Sequence, residues 1–388
     1  MAHAYGLDAA GEKQLEKAAR VREVAAKHAA EVDAKGRFPA ESLAAAAKEG
    51  LLGLCIGKDL GGAGERPRTF AAVAEELATA CGSTAMVYVM HVAAAQAIAA
   101  SKTLGDRDAL LKQMAAGKHL TTLAFSEKGS RSQFWAPVST LKEDGAGYVT
   151  SAEKSWVTSA AHADSYVASA QAPKAASPLE STLYLARKGA KGMKVTEPFQ
   201  GLGLRGNDSS PVAIERLAVP KADLVTAPGA GAQAMLEVVL PWFNVGTAAM
   251  SNGLARAAVD MTAKHMSGTG FTHAGTLLRD LPTLRSRLAK MSLRTEQARG
   301  LLARTVASME APSAETVPLV LETRAASLDA ALAVTDLGMK ACGGAAFSKH
   351  LPLERVFRDA RAGWVMAPTV DHLEDFLGRI LTGMPLFG

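Results

Sequence analysis

The sequence predicts an α protein with a central β domain, and three observations carry that prediction. Helix-type spacing of apolar residues fills the first 120 positions, gives way to short alternating strands up to position 228, and returns from there to position 388. Alanine and leucine fill much of a 48% hydrophobic quota while aromatics supply only 5%, a mixture that favours helix because such side chains lose least on entering one. A chain of 388 residues also exceeds what one hydrophobic core supports. Three domains are therefore expected, at 1–120, 121–228 and 229–388.

The elements follow in order. A first helix is expected from Glu12 to Val32, and a second opens at Pro39-Ala40-Glu41, with proline at a favoured first-turn position. Leu60-Gly61-Gly62-Ala63-Gly64 marks a turn. Helical spacing resumes over Thr69 to Leu104 and Asp106 to Ala116. Ser165-Tyr166-Val167-Ala168-Ser169 and Thr182-Leu183-Tyr184-Leu185 alternate between turn residues, as antiparallel strands do. Beyond Gly231, Leu284, Leu288, Met291, Thr295, Ala298 and Leu302 recur at spacings of four and three, one apolar face of a long helix. No internal repeat and no low-complexity run interrupts this order.

Several function classes fall away on composition. The net charge of +5 attracts polyanions in principle, but the basic residues are interspersed with acids rather than gathered in a stripe, which argues against a nucleic-acid surface. Cys55, Cys81 and Cys342 form no CxxC pair, so neither a metal site nor a disulfide framework is expected, and a reducing, cytoplasmic setting fits. The N-terminus carries no apolar signal core. The apolar run Val87 to Ala100 is short for a bilayer and broken by His91 and Gln96, so no membrane insertion is expected.

Segments spread along the chain, in a consistent order, resemble the acyl-CoA dehydrogenase family. They are Gly50-Leu51-Leu52-Gly53-Leu54 with Gly61-Gly62-Ala63-Gly64; Glu75-Glu76-Leu77-Ala78 through Ser83-Thr84-Ala85 and His91; the loop Phe125 to Ser132; Trp156-Val157-Thr158-Ser159 with Ala163-Asp164; and Gly203-Leu204-Arg205-Gly206 with Val219-Pro220. Gly343-Gly344 and Arg358-Asp359-Ala360-Arg361 match the family's last helices. The resemblance implies an N-terminal helical domain, a β-barrel-like middle domain and a C-terminal four-helix bundle. It implies an FAD-dependent oxidoreductase acting on an acyl-CoA or carrier-protein thioester, with FAD held partly across a subunit interface of a homo-oligomer, usually a tetramer. The electron acceptor would be an electron-transfer flavoprotein or molecular oxygen.

Flavin binding needs hydrogen-bonding groups around the buried polar edge of the ring, which small hydroxyl residues and backbone amides in tight loops supply. Phe125, Ser126, Gly129, Ser132, Trp156, Thr158 and Ser159 stand where the family places these contacts, although a polar loop beside a tryptophan would also read as ordinary β structure. Gly343 and Gly344 correspond to the pair that approaches the neighbouring subunit's FAD, and Thr369 and Asp371 to residues at the adenine end. A departure occurs before Phe271. Where the family carries an arginine that reaches the partner's pyrophosphate, this chain has Ser267-Gly268-Thr269-Gly270, leaving backbone amides or Arg279 to serve.

A larger departure concerns the catalytic base. The family's reaction removes a weakly acidic proton beside the thioester carbonyl and so needs a positioned carboxylate. Most members supply a glutamate shortly after the Arg-Asp-Ala motif; here Met366-Ala367-Pro368-Thr369 puts Ala367 at that position. A minority place it on an earlier helix, where this chain has Phe243, with Glu237 a few residues away. The substitute candidates are Asp208, which also suits an ordinary turn, and His91, which also suits a hydrogen-bonded core. Glu127 is expected to be structural. Tyr88 and Trp364 are candidates to shape an acyl pocket, and Gln133-Phe134-Trp135-Ala136-Pro137 remodels the stretch after the flavin loop. A relocated or missing base keeps two alternatives open: a flavin-dependent monooxygenase or oxidase on the same fold, and a non-catalytic flavoprotein.

Overall fold

A computed structural model describes residues 3–387. Five helices come first: α1 (Ala9–Lys35), α2 (Ala40–Lys48), α3 (Pro67–Ala78), α4 (Gly82–Ala100) and α5 (Arg107–Ala115). The Asp8 carboxylate caps α1 by accepting from the Ala10 and Gly11 amides, and Gly36 ends it in the left-handed region. The helical pattern expected from Thr69 to Leu104 is two helices, broken at Thr79-Ala80-Cys81. The break has a packing reason. A Cβ on Gly82 would lie 2.8 Å from the Asp359 carboxylate and 2.9 Å from Leu204, so α4 starts where two residues from far along the chain press on it.

The central region holds β1 (Thr121–Ala124), β2 (Lys142–Asp144), β3 (Gly147–Val157), β4 (Ser165–Gln171), β5 (Ser181–Arg187), β6 (Met193–Val195) and β7 (Ser210–Pro220). They form two sheets, β1-β4-β5 and β2-β3-β7-β6, with β1 parallel to β4 and the other pairs antiparallel. Val157, Tyr166, Tyr184, Ile214, Leu217 and Val219 belong to the separate core of this region. A bulge between Lys154 and Val157 breaks the pairing of β3 with β7. It buries Lys154 and leaves Trp156 69% exposed two residues later, which strict alternation would not give.

Helices then resume with a short α6 (Gly231–Ala234), a π turn over Met235–Val239, and α7 (Leu240–Gly268). A small hairpin, β8 (Gly270–Phe271) and β9 (Thr276–Leu277), leads to α8 (Pro282–Glu310), α9 (Thr316–Cys342), α10 (Gly344–Phe347), α11 (Leu353–Ala360) and α12 (Val370–Leu381). Leu284, Met291, Thr295, Ala298 and Leu302 on α8 are buried as their spacing requires, and Leu288 is half-buried. The expected α architecture with a central β domain is borne out. α3 packs on α7, and buried Glu75 of α3 accepts from Arg256 of α7 (2.7 Å), Arg299 of α8 (3.0 Å) and the Tyr5 hydroxyl, tying the two helical regions together. α4 is long and apolar enough to cross a membrane by composition, and longer than its sequence suggested. Nearly all of it is buried inside the fold, as in a core helix.

Candidate active site

The three regions meet around a cavity of about 1150 Å³. Met86 and Met90 of α4, Val239 at the end of the π turn, and Leu240 and Phe243 at the start of α7 form an apolar wall. The loop after β1 contributes Phe125, Ser126, Gly129, Ser132 and Phe134; β3 and the residue after it contribute Trp156 and Thr158. Leu204, Asn207 and Ser209 precede β7, and Trp364, Met366, Ala367 and Thr369 connect α11 to α12. The π turn ends at this wall, a position where π distortions are often functional.

Backbone strain concentrates here. Of eight non-glycine residues with positive φ among the described residues, Arg131 (54°), Trp156 (56°) and Leu204 (48°) line the cavity, and Ser159 (60°) and Asp208 (50°) adjoin residues that do. Such conformations cost of order 1–3 kcal/mol each and persist where surrounding contacts enforce them. The contacts are visible. The Ser159 amide donates to Asn207 O (2.9 Å), the Ala160 amide to Asp208 O (3.1 Å), and a Cβ on Gly203 would lie 2.2 Å from Arg358 O.

The sequence-derived candidates divide accordingly. Phe125, Ser126, Gly129, Ser132, Trp156, Thr158 and Thr369 share the cavity wall with Ala367. Ser159 lies behind it, fully buried. Phe271, Gly343, Gly344 and Asp371 are exposed and outside it, as is Arg279. Trp364 is on the wall, whereas Tyr88 is buried away from it.

Neither substitute base faces the cavity. His91 is one residue past Met90, which turns it to another side of α4. There its Nε2 donates to Leu52 O (2.9 Å) and its Nδ1 accepts from the Thr121 amide (3.2 Å). Burial pushes its pKa down to about 4, against weaker support from those bonds, so it is a neutral core histidine. The Asp208 carboxylate is spent on the Ala161 amide and the Ser210 hydroxyl, both at 2.7 Å, and holds its loop. Glu237 is exposed and bonded to Gln233, while Phe243 faces the cavity.

Glu127 is the one carboxylate among the described residues on the wall. Its Oε2 accepts from the Val138 and Ser139 amides (2.7 Å each), and its Oε1 from the Ser139 hydroxyl and Lys154 Nζ (2.5 Å each). Burial pushes Glu127 up, but Lys154 and these bonds outweigh it and hold the carboxyl below its ordinary range. With four donors on two oxygens, no acceptor capacity is left for a substrate proton. The wall's cations are more numerous: Lys128, Arg131, Arg358 and Arg361. Arg358 pairs with Asp33 and Glu354, Arg361 with Asp336, and Arg131 with no described acid.

Two further side chains escaped the sequence reading. Fully buried Arg324 of α9 donates to Met366 O (3.0 Å) and Asn244 Oδ1 (3.2 Å), lies 4.8 Å from the Phe243 ring centroid, and has no carboxylate partner among the described residues. Burial pulls its pKa down to about 9. His372 Nδ1 lies 3.0 Å from both the Ser132 and Thr369 hydroxyls. The available signals were a lone arginine in an apolar helix and a histidine three residues after a site threonine.

Fold and cavity together define a scaffold in which helical, β and helical regions converge on one site. Family models for the N-terminal, middle and C-terminal domains of acyl-CoA dehydrogenase match residues 11–118, 122–217 and 229–369. The chain belongs to the acyl-CoA dehydrogenase family. It is 28% identical over 336 residues to the mitochondrial short-chain specific acyl-CoA dehydrogenase of Bos taurus, covering 86% of this chain and 80% of that one. It is 26% identical to the acryloyl-CoA reductase (NADH) of Anaerotignum propionicum, covering 86% and 84%. In structure it superposes on butyryl-CoA dehydrogenase from Megasphaera elsdenii with a TM-score of 0.92 at 20% identity, covering 97% and 99%, and on the FAD complex of PigA at 0.89 and 19%, covering 97% and 98%. Members of the family are flavoenzymes acting on CH–CH groups, with FAD as cofactor. The cavity suits that group: it is large, carries hydroxyl residues at Ser126, Ser132, Ser155, Thr158, Ser209 and Thr369, presents an exposed indole, and is rimmed by cations.

Proposed function

We propose that the protein is an FAD-dependent oxidoreductase that binds an acyl-CoA, or carrier-protein, thioester in a cavity with no free carboxylate base. The observation that carries this reading is Glu127, the one carboxylate on the wall among the described residues, saturated by four donors, with Ala367 and Phe243 lining the cavity at the two positions where the resemblance puts the family's base. Ser126, Ser132, Trp156, Thr158 and Thr369 would hold the cofactor, with Phe125 and Gly129 shaping its loop. FAD supplies the hydride acceptor when bound. Met86, Met90, Leu240 and Phe243 would take an apolar acyl group, and Lys128 and Arg131 lie where phosphates could be met.

Exposed Phe271, Gly343, Gly344 and Phe347 support a homo-oligomer, dimer or tetramer, in which one subunit completes its neighbour's FAD site. Asp371, exposed in the first turn of α12, is assigned with them to the adenine end. Three unpaired cysteines fit a cytoplasmic setting. The change from helix to strand near Leu120 and back near Gly231 supports division at 120/121 and 228/229.

The same missing base favours a second reading, a monooxygenase or oxidase that has left desaturation behind, with oxygen rather than an electron-transfer flavoprotein as acceptor. The test is anaerobic stopped-flow mixing with butyryl-, octanoyl- and palmitoyl-CoA. Each should perturb the flavin spectrum without rapid bleaching, since general-base catalysis contributes about 10²–10⁴-fold. Rapid bleaching would show that a working base exists, and oxygen uptake with oxygen in the product would select the second reading.

A further inference from the structure

We propose that His372 is a positioning residue for the bound cofactor: through Nδ1 it sets the Ser132 and Thr369 hydroxyls so that both point their hydrogens into the cavity. The inference rests on FAD occupying this cavity and adds a residue that neither the family motifs nor the sequence reading supplied.

Ser132 comes from the loop after β1 and Thr369 from the residue before α12, yet both oxygens converge on one nitrogen at 3.0 Å. A ring nitrogen offers one proton or one lone pair. Carrying the proton, Nδ1 donates to both oxygens at once, and each hydroxyl keeps its own hydrogen for a ligand. Carrying the lone pair, it takes a hydroxyl hydrogen away from the cavity. An anionic ligand that accepts from both hydroxyls therefore selects the first arrangement. The ring is held for this role by Trp135 and Phe376, whose rings meet it edge-on at 6.1 and 6.3 Å between centroids.

The two hydroxyls would act beside Arg131, which precedes Ser132 in the chain and pairs with no described acid, while the wall's other arginines are engaged elsewhere. Arg358 and Arg361 are committed to Asp33, Glu354 and Asp336. The stretch Ser267-Gly268-Thr269-Gly270 before Phe271 offers no cation. Hydrogen bonds to an ionised acceptor are stronger than neutral ones, so two oriented hydroxyls are a substantial addition.

The experiment titrates FAD into the full-length apoprotein, reading flavin fluorescence and the melting temperature of the apo form. His372→Leu should weaken FAD binding about tenfold or more, the worth of one to two hydrogen bonds, without lowering the apoprotein's melting temperature. His372→Asn, which keeps an amide group near the Nδ1 position, should recover most of the loss. In a Ser132→Ala/Thr369→Val background, His372→Leu should cost nothing more, because the groups through which it acts are gone. Wild-type affinity in His372→Leu overturns the proposal. So does a loss that His372→Asn fails to rescue, or one that persists undiminished in the double-mutant background. If wild-type protein takes up no FAD, the cofactor reading itself falls, and that outcome is distinct from all the others.

Discussion

Two buried groups are expected to oppose each other in the protein's pH-dependent stability, and removing either should expose the other. His91 is fully buried and pushed down to about 4. Asp359 is 4% exposed and pushed up to about 7 by burial, only partly offset by the Leu204 amide, which donates to it at 2.6 Å. The signs follow from linkage. Between pH 4 and 6.5 the unfolded chain protonates His91 while the folded one does not, so stability from this group rises with pH and is complete above 6.5. Over much the same window the folded protein keeps a proton on Asp359 that the unfolded chain has released, so stability from that group falls as pH rises to 7. Each slope is about 1.4 kcal/mol per pH unit, with full amplitudes of roughly 3 and 4 kcal/mol. In the wild type they nearly cancel. Urea melts of His91→Gln and Asp359→Asn at pH 5, 5.5, 6 and 6.5, at one protein concentration and saturating FAD, read the difference from wild type. The deficit of His91→Gln should grow by about 1.4 kcal/mol per unit as pH rises, while the balance for Asp359→Asn shifts in its favour at the same rate. Constant offsets from altered packing do not matter, because the slope is what is read. Difference curves that are flat over this range, or that tilt against these directions, would refute the burial argument for the residue concerned.

Two other outcomes follow from the cavity. Glu127→Gln should cost roughly 3–5 kcal/mol by leaving Lys154 charged, buried and unpaired, and Glu127→Gln/Lys154→Met should recover part of it; thermal melts check both. Ala367→Glu should gain flavin bleaching by octanoyl-CoA toward the 10²–10⁴-fold range of a positioned base, measured anaerobically, and an unchanged rate would mean that the backbone at Pro368 aims the new carboxylate away from the substrate.

How much the sequence disclosed depended on the range of the forces involved. Helix faces such as Leu284 to Leu302 are written in local spacing, and loops such as Phe125 to Ser132 in short motifs, so both were readable. The split of the expected 69–104 helix was not, because the contact that fixes it comes from Leu204 and Asp359, far along the chain. Trp156 was expected at the site, but its exposure depends on a bulge set by pairing with β7. His91 was placed on the right helix with a catalytic and a core reading both open, because periodicity alone does not fix which side of an all-apolar helix meets a cavity; one residue separates it from Met90. His372 stands three residues from Thr369, but what joins it to the site is its second contact, to Ser132 240 positions away, which local spacing does not show.

On the proposed reading, in which the cavity has no working base, the charge around it still suits an anionic ligand. A carboxylate in such a site has two effects: it accepts a proton, and it lowers the local potential that anionic ligands meet. Among the described residues this wall offers no free carboxylate for the first and avoids the second, since its one acid is paired with Lys154 and Arg131 pairs with no described acid. Behind Ala367, Arg324 adds a buried positive charge bonded to the adjoining Met366 carbonyl and opposed by no described acid. A glutamate at position 367 would bring a negative charge near that guanidinium, whereas alanine leaves its field directed at whatever fills the cavity. The electrostatics therefore favour holding negative charge on a ligand, at phosphates or at an oxygen next to the reacting carbon. They provide no acceptor for the proton whose removal would create that charge.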